Sequence, residues 1–334
     1  MRKRLVVILL FGALGMLFTA CQNADPDTEG QAVSALTPVS LQLQWFTQAQ
    51  FAGYYVALDK GWYRDEGLDM SIFPGGPDLV PVDLVTSGAK DFGTTLLADL
   101  TVSIGQGKPA VSIAQIQQNN GLRLLTKTAS GIREPRDFTG KKVGVWLGGW
   151  EVQFNALVVG QGIDLKDVNV ISQGFSMTPF IEGQLDVASA MIYNEYFMVL
   201  AGGIDPQDIH VIDYADYELD FPGDVLFTSR QMTEKRPQIC RKVLNASLKG
   251  WEYALNHPQE AVDIVLKYDR AGIQKRSHQL KMMDEIANLV KGEAPGIGHP
   301  DPGAVSRMVQ LLVDSHILKT RIESQRIYST RFLE

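Results

Sequence analysis

Polar and apolar residues alternate along "VSLQLQW", residues 39–45, with the period of two that marks a strand buried on one face. The alternation ends at Trp45. From about Gln50 to Tyr63 the apolar positions Phe51, Tyr54, Tyr55, Leu58 and Trp62 recur at helical spacing on one side. The pattern then predicts a strand over "LDMSIF", a turn at "GGPD", a helix over "LVPVDLVTSG", a strand "DFGTTLL" leading into another helix, and a strand "AVSIAQI". A similar order follows: strand "KKVGVWL", a turn and helix over "GGWEVQFNALVVGQG", strand "VNVISQ", a short helix "MTPFIEGQ", and a strand "DVASAMIYNEY" that runs into a helix. Two stretches echo each other in letters, "SGAKDFGTT" and "EGQLDVASA", each a helix end, a turn, an Asp and a buried strand.

Strands alternating with helices predict α/β layers built on mostly parallel sheets. Two related halves at a long period predict two lobes rather than a solenoid, and about 300 folded residues exceed one ordinary core. The expected division is one lobe from residues 39–128 with 225–334, and a second from 129–224. The chain would cross between them near residues 126–133 and 221–228, and a helix-rich tail from Arg236 would return to the first lobe.

The N-terminus changes where this fold is placed. Residues 1–20 carry Arg2, Lys3 and Arg4, the apolar run "LVVILLFGALGMLF" and small residues before Cys21, the layout of an export signal. The run is shorter than the roughly 20 apolar residues of a membrane-spanning helix. "FTAC" resembles a bacterial lipobox, which implies that Cys21 is lipidated and anchors the chain on the outer side of the cell membrane. Residues 21–38 are polar, acidic and poor in large apolar side chains, so they read as a flexible tether.

Charge and cysteine content exclude several classes. The chain has 31 basic and 38 acidic residues; loss of the three basic ones in the export segment leaves 28 against 38, a net charge of −10. That balance argues against a nucleic-acid partner. With Cys21 lipidated, Cys240 has no partner for a disulfide, and two distant cysteines make no zinc cluster. There is no G-x-S-x-G, H-E-x-x-H, phosphate loop or G-x-G-x-x-G, and the five histidines are scattered. No catalytic residue, metal or cofactor is expected, and the chain reads as a monomer and not as an enzyme.

In open α/β sheets, ligands sit at the carboxyl ends of strands and at helix N-termini, and two facing lobes turn those ends into the walls of one cleft. The positions so placed are 45–50, 74–78, 94–99 and 115–118 on one wall, and 148–151, 175–178 and 193–196 on the other. Trp45 ends a strand and Tyr54 lies one turn into the next helix, so either ring can face the cleft. Phe51, Tyr55, Leu58 and Trp62 read as core. Opposite them stand Trp150 with Glu151, and Tyr193 with Asn194 and Glu195. Rings on opposing walls can sandwich a planar heterocycle while a carboxylate accepts N–H bonds at its edge. The turn at Gly148 and Gly149 serves equally as a plain helix start or as an anion-holding one. Gln48, Gln50, Asp78, Thr94, Gln115 and Gln117 complete the candidate set.

The run "LQWFTQAQFAGYYVALDKGWYRDEGLDMSIFPGGPD", with "GKKVGVW" and "YNEY", resembles the solute-binding proteins of ABC importers in the thiamine-pyrimidine-precursor group, most of all the branch associated with riboflavin uptake. The resemblance implies a two-lobe periplasmic-binding fold that closes on a small molecule and hands it to a membrane permease. It also implies that an aromatic after the first strand stacks on the ligand ring, here Trp45, and that a glutamate after a late second-lobe strand bonds its edge, here Glu195. Similar eukaryotic proteins make the pyrimidine themselves with a cysteine-rich segment and a histidine; this chain has no such cluster, and Ala52 and Gly53 stand after "QAQF". Those small residues are expected to leave room for a larger ring system. A flavin is therefore the expected ligand, with an aminopyrimidine or another small solute such as a sulfonate as alternatives, and a secreted pyrimidine-related enzyme as the remaining one.

Overall fold

The computed structural model describes residues 35–147, 150–291 and 296–333. The expected export segment, Cys21, nearly all of the tether, and the Gly148 and Gly149 turn lie outside the described residues. Ten strands are described: β1 (Thr37–Gln42), β2 (Leu68–Phe73), β3 (Phe92–Leu96), β4 (Ala110–Gln115), β5 (Leu122–Lys127), β6 (Lys142–Val145), β7 (Asn169–Ser172), β8 (Val187–Met191), β9 (Ile209–Asp213) and β10 (Asp224–Ser229). They form two five-stranded sheets with helices on their faces, ordered β2-β1-β3-β10-β4 and β7-β6-β8-β5-β9. In each sheet the first three are parallel, and one strand, β10 or β5, is inserted antiparallel.

The two orders are the same once the inserted strand is set aside, so the chain builds one α/β unit twice and each unit accepts a strand from the far side of a crossing. The echoed stretches end in β3 and β8, the central strands of the two sheets, buried along their whole length. Their aspartates play the same part: Asp91 accepts the backbone N–H of Ser40 at 2.9 Å, and Asp186 that of Lys142 at 2.9 Å, each tying the central strand to its parallel neighbour, β1 or β6.

One expected boundary is corrected. Residues 122–127 were assigned to the first lobe, but β5 pairs with β8 and β9 in the second sheet, so the chain crosses before Leu122. Local apolar pattern identifies a strand and says nothing about which sheet receives it. The return crossing ends at β10, and the tail helices then cover the first lobe. Helix Pro237–Asn256 has Pro at its first turn and buries Cys240, Val243, Leu244, Ser247, Gly250, Trp251 and Ala254, a continuous face at spacings of three and four. This face lies on helix Ala52–Asp59. Close approach there requires glycine on both sides. A Cβ on Gly250 would stand 2.0 Å from the Gly53 carbonyl oxygen, and one on Gly53 would stand 2.2 Å from the Trp251 ring.

Cys240 is a free, fully buried thiol, and burial pushes it up to about 12. Among the described residues no helix is long and apolar enough to cross a membrane.

Candidate functional site

The carboxyl ends of β1 and β6, which hold the same place in the two sheets, each lead to a tryptophan, and these indoles meet. Trp45 lies edge-on to Trp146 at 5.7 Å and to Trp150 at 6.0 Å. Next to it, Phe46 lies edge-on to Phe175 of the second lobe at 5.0 Å. Trp45 is 6% exposed, yet its burial comes partly from the opposite lobe rather than from one core alone. Beneath these rings is a small interlobe cavity of ≈ 20 Å³ lined by Gln44, Trp45, Gln48, Gln50, Trp146, Trp150, Met191, Tyr193, Asn194 and Glu195.

On the first-lobe side the lining is glutamine, held by a buried acid. Asp224 opens β10 and accepts Nε2 of Gln44 at 2.7 Å on one carboxylate oxygen and Nε2 of Gln50 at 2.7 Å on the other. Gln48 donates to Oε1 of Gln50 at 2.7 Å. Because every amide N–H is directed inward along this chain, Oε1 of Gln44 and Oε1 of Gln48 remain buried with no hydrogen-bond partner. A buried acceptor left in this way costs about 1–3 kcal/mol, a cost that a donor on a ligand removes. Burial raises Asp224 to about 6, opposed by its two glutamine donors.

The second-lobe side presents Glu195 at the start of helix Glu195–Ala201. Its Oε2 accepts the Met191 backbone N–H at 2.9 Å, and its Oε1 accepts Nδ2 of Asn194 at 2.7 Å. Burial moves it up to about 7, against the pull of those donors, so near neutral pH it passes between acid and acceptor. None of the lining residues is basic. Deeper still, Asp99 is buried and held well above the usual carboxylate range by desolvation and by the charges of Glu151 and Asp224. Among the described residues no group of three or more His, Cys, Asp or Glu is placed to hold a metal ion.

Of the residues singled out from sequence, the structure brings Trp45, Gln48, Gln50, Trp150, Tyr193, Asn194 and Glu195 onto this one cavity. Others stand one layer back. The Thr94 hydroxyl accepts the Gln44 backbone N–H at 3.0 Å, and Gln115 donates to the Gln117 carbonyl at 2.8 Å, close under Asp224. The Gln117 backbone N–H donates to the Asp224 carbonyl at 3.1 Å, and half-buried Glu151 precedes helix Val152–Gly160 beside Trp150 without lining the cavity.

Two positions are corrected. Tyr54 faces away from the cleft, 1% exposed and edge-on to Trp251 at 5.7 Å, because its place on helix Ala52–Asp59 points it at the covering helix. Asp78 is exposed in the turn after β2 and does not reach the cavity. The expectation that Ala52 and Gly53 leave room for ligand also fails, since the Trp251 ring fills that space. Sequence reading missed Gln44, Trp146, Met191 and Asp224. The signals for the first two were present: Gln42 and Gln44 put amides on one face of β1, and Trp146 follows β6 as Trp45 follows β1.

Two α/β lobes with an aromatic, carboxylate-edged cavity in their seam define the class, a two-lobe solute-binding fold. The structure aligns with the periplasmic nitrate-binding protein NrtA from Synechocystis at a TM-score of 0.68 with 12% identity, covering 89% of this chain and 87% of the other. Residues 48–261 match the NMT1/THI5-like family model, and the chain belongs to that family. It is 28% identical over 259 residues, 76% of each chain, to the formylaminopyrimidine-binding protein of Halalkalibacterium halodurans. It is 25% identical over 350 residues to the riboflavin-binding protein RibY of Chloroflexus aurantiacus, covering 99% of this chain and 98% of that one. Other relatives carry the name of a pyrimidine phosphate synthase.

Proposed function

We propose that this chain is the extracytoplasmic, lipid-anchored binding component of an ABC importer, and that it captures a planar nitrogen heterocycle of aminopyrimidine size. One observation carries the reading: aromatic side chains (Trp45, Tyr193) and side chains with acceptor oxygens (Glu195, Gln44, Gln48) from two lobes line one buried cavity, and Oε1 of Gln44 and of Gln48 are buried without a partner. An apolar ring with N–H donors on its edge satisfies each of these groups. Closure is favoured because only the closed form offers both walls at once, and reopening releases the solute to the permease.

Size supports a single ring over a flavin. The cavity is ≈ 20 Å³ in this closed arrangement, so the lobes must part for any solute, least for a single ring and most for three fused rings with a ribityl chain. The flavin reading keeps one support, the similarity to RibY over nearly the full length. Sulfonate or nitrate is disfavoured by a lining with a carboxylate and no Lys or Arg. Calorimetric titration of the soluble chain with 4-amino-5-hydroxymethyl-2-methylpyrimidine and with riboflavin, alongside tryptophan fluorescence, decides. Heat and quenching with the pyrimidine support the proposal, a response to riboflavin alone replaces its ligand, and silence with both ends it.

A further inference from the structure

Helix Arg276–Lys291 packs on residues Ala49–Phe51 and on helix Pro258–Tyr268 of the first lobe. Two consecutive side chains near its start reach the two walls of the cavity. Gln279 accepts the Ala49 backbone N–H at 2.6 Å through Oε1, fixing the loop that carries Trp45 and Gln48. His278 reaches in the other direction, and its Nε2 lies 2.8 Å from Oδ1 of Asn194, a second-lobe residue.

The protonation roles in this chain follow from its far end. The Glu195 carboxylate accepts, so Asn194 must present Nδ2 to it; Asn194 Oδ1 then accepts, and His278 must supply the Nε2 proton. Burial together with Lys281 and Lys275 lowers His278, so the ring is neutral near pH 7. Lys281 lies 5.5 Å above the Phe197 ring, and Phe197 stands edge-on to His278, which closes the outer side of this contact.

Resting on the aminopyrimidine reading, we infer that His278 is a positioning residue that acts across the lobe seam: it orients the Asn194 amide so that Glu195 is held as an acceptor toward the ligand's N–H edge. The first lobe thereby sets the ligand contact made by the second, and only in the closed arrangement. An open protein has no His278 to Asn194 bond, so the Asn194 amide is free to turn and Glu195 loses a donor. The carboxylate is then a poorer acceptor at neutral pH, and ligand retention depends on the seam staying shut.

The test uses the full mature chain, with His278→Ala, His278→Gln, Asn194→Ala and the double variant His278→Ala with Asn194→Ala. Two readouts are taken: Kd for 4-amino-5-hydroxymethyl-2-methylpyrimidine, and the Glu195 titration midpoint by carboxyl NMR in the ligand-saturated, closed protein. His278→Ala is expected to weaken binding about tenfold, the scale of one charge-linked hydrogen bond, and to move the Glu195 midpoint upward. His278→Gln, whose amide N–H reaches the position of Nε2, restores most of both, and the double variant is no worse than Asn194→Ala alone. Wild-type values of Kd and midpoint in His278→Ala overturn the inference, as does additivity in the double variant. Should wild type fail to bind the pyrimidine but bind riboflavin, the proposed ligand falls and the same two readouts taken with riboflavin decide the role of His278; silence of wild type with both ends this inference together with the reading it rests on.

Discussion

Two aromatic clusters in this protein look alike in burial and differ in what buries them. Trp251 is 1% exposed beneath helix Ala52–Asp59, edge-on to Tyr54 and against Gly53, both residues of its own lobe. Trp45 is 6% exposed, and part of its cover is Trp146 and Trp150 from the opposite lobe. The first burial is a property of the fold, while the second is a property of closure. A residue's exposure in one arrangement of the lobes therefore does not tell core from binding surface; the identity of the covering element does.

The difference is broken or sharpened most strongly at Trp251. Trp251→Ala should lower the unfolding free energy by about 4 kcal/mol in urea denaturation, with wild-type ligand affinity in the fraction that stays folded. Gly53→Ala comes next. Ala is the better helix former by about 1 kcal/mol, but a Cβ 2.2 Å from a ring with nowhere to retreat overrides that, and a net loss of about 2 kcal/mol is expected. Trp45→Ala should reverse the pattern, with stability down by less than about 1 kcal/mol while affinity for the pyrimidine falls roughly 30-fold in calorimetry. Equal stability losses at Trp45 and Trp251 would place both rings in the core and sink the contrast.

The smallest effect is a slope with pH. Glu195 sits at about 7 when folded, above its ordinary value of 4.5, so the folded chain keeps a proton that the unfolded chain releases. Its contribution to stability is full below about pH 4.5 and is lost as pH rises toward 7, at no more than about 1.4 kcal/mol per pH unit. Asp224, raised to about 6, acts in the same direction at lower pH. Glu195→Gln should flatten the upper part of the stability profile in urea titrations run from pH 5 to 8. Ligand affinity should run the opposite way in wild type, rising through pH 7 as the carboxylate becomes an acceptor, and lose that rise in the variant.

Much of this fold was legible in local pattern. "LDMSIF" is β2 residue for residue, and the echo of "SGAKDFGTT" in "EGQLDVASA" marked the paired central strands β3 and β8. The strands that escaped, β5 and β9, lie where the chain changes lobe, and their sheet membership is set by pairing across the molecule. The site was legible to the same depth. Strand-end geometry reached Trp45 and the Tyr193 to Glu195 segment because both follow strands directly. It leaves the direction of Tyr54 open, since that direction depends on a helix some 200 residues later. Asp224 and His278 were out of reach for the same reason: they meet Gln44 and Asn194 only through tertiary packing, at separations of 180 and 84 residues.

The inserted strands also set the order in which the halves can be completed. All five strands of the second sheet lie in one run from Leu122 to Asp213, so that sheet needs nothing from outside itself. The first sheet has a gap between β3 and β4 that only β10 fills, and β10 is the last strand of the chain. For a polypeptide emerging N-terminus first, the half that starts earlier must finish later, its edges exposed until residue 229 arrives. Truncation between Asp213 and Asp224 therefore leaves every strand of the second sheet in place and a first sheet that cannot close.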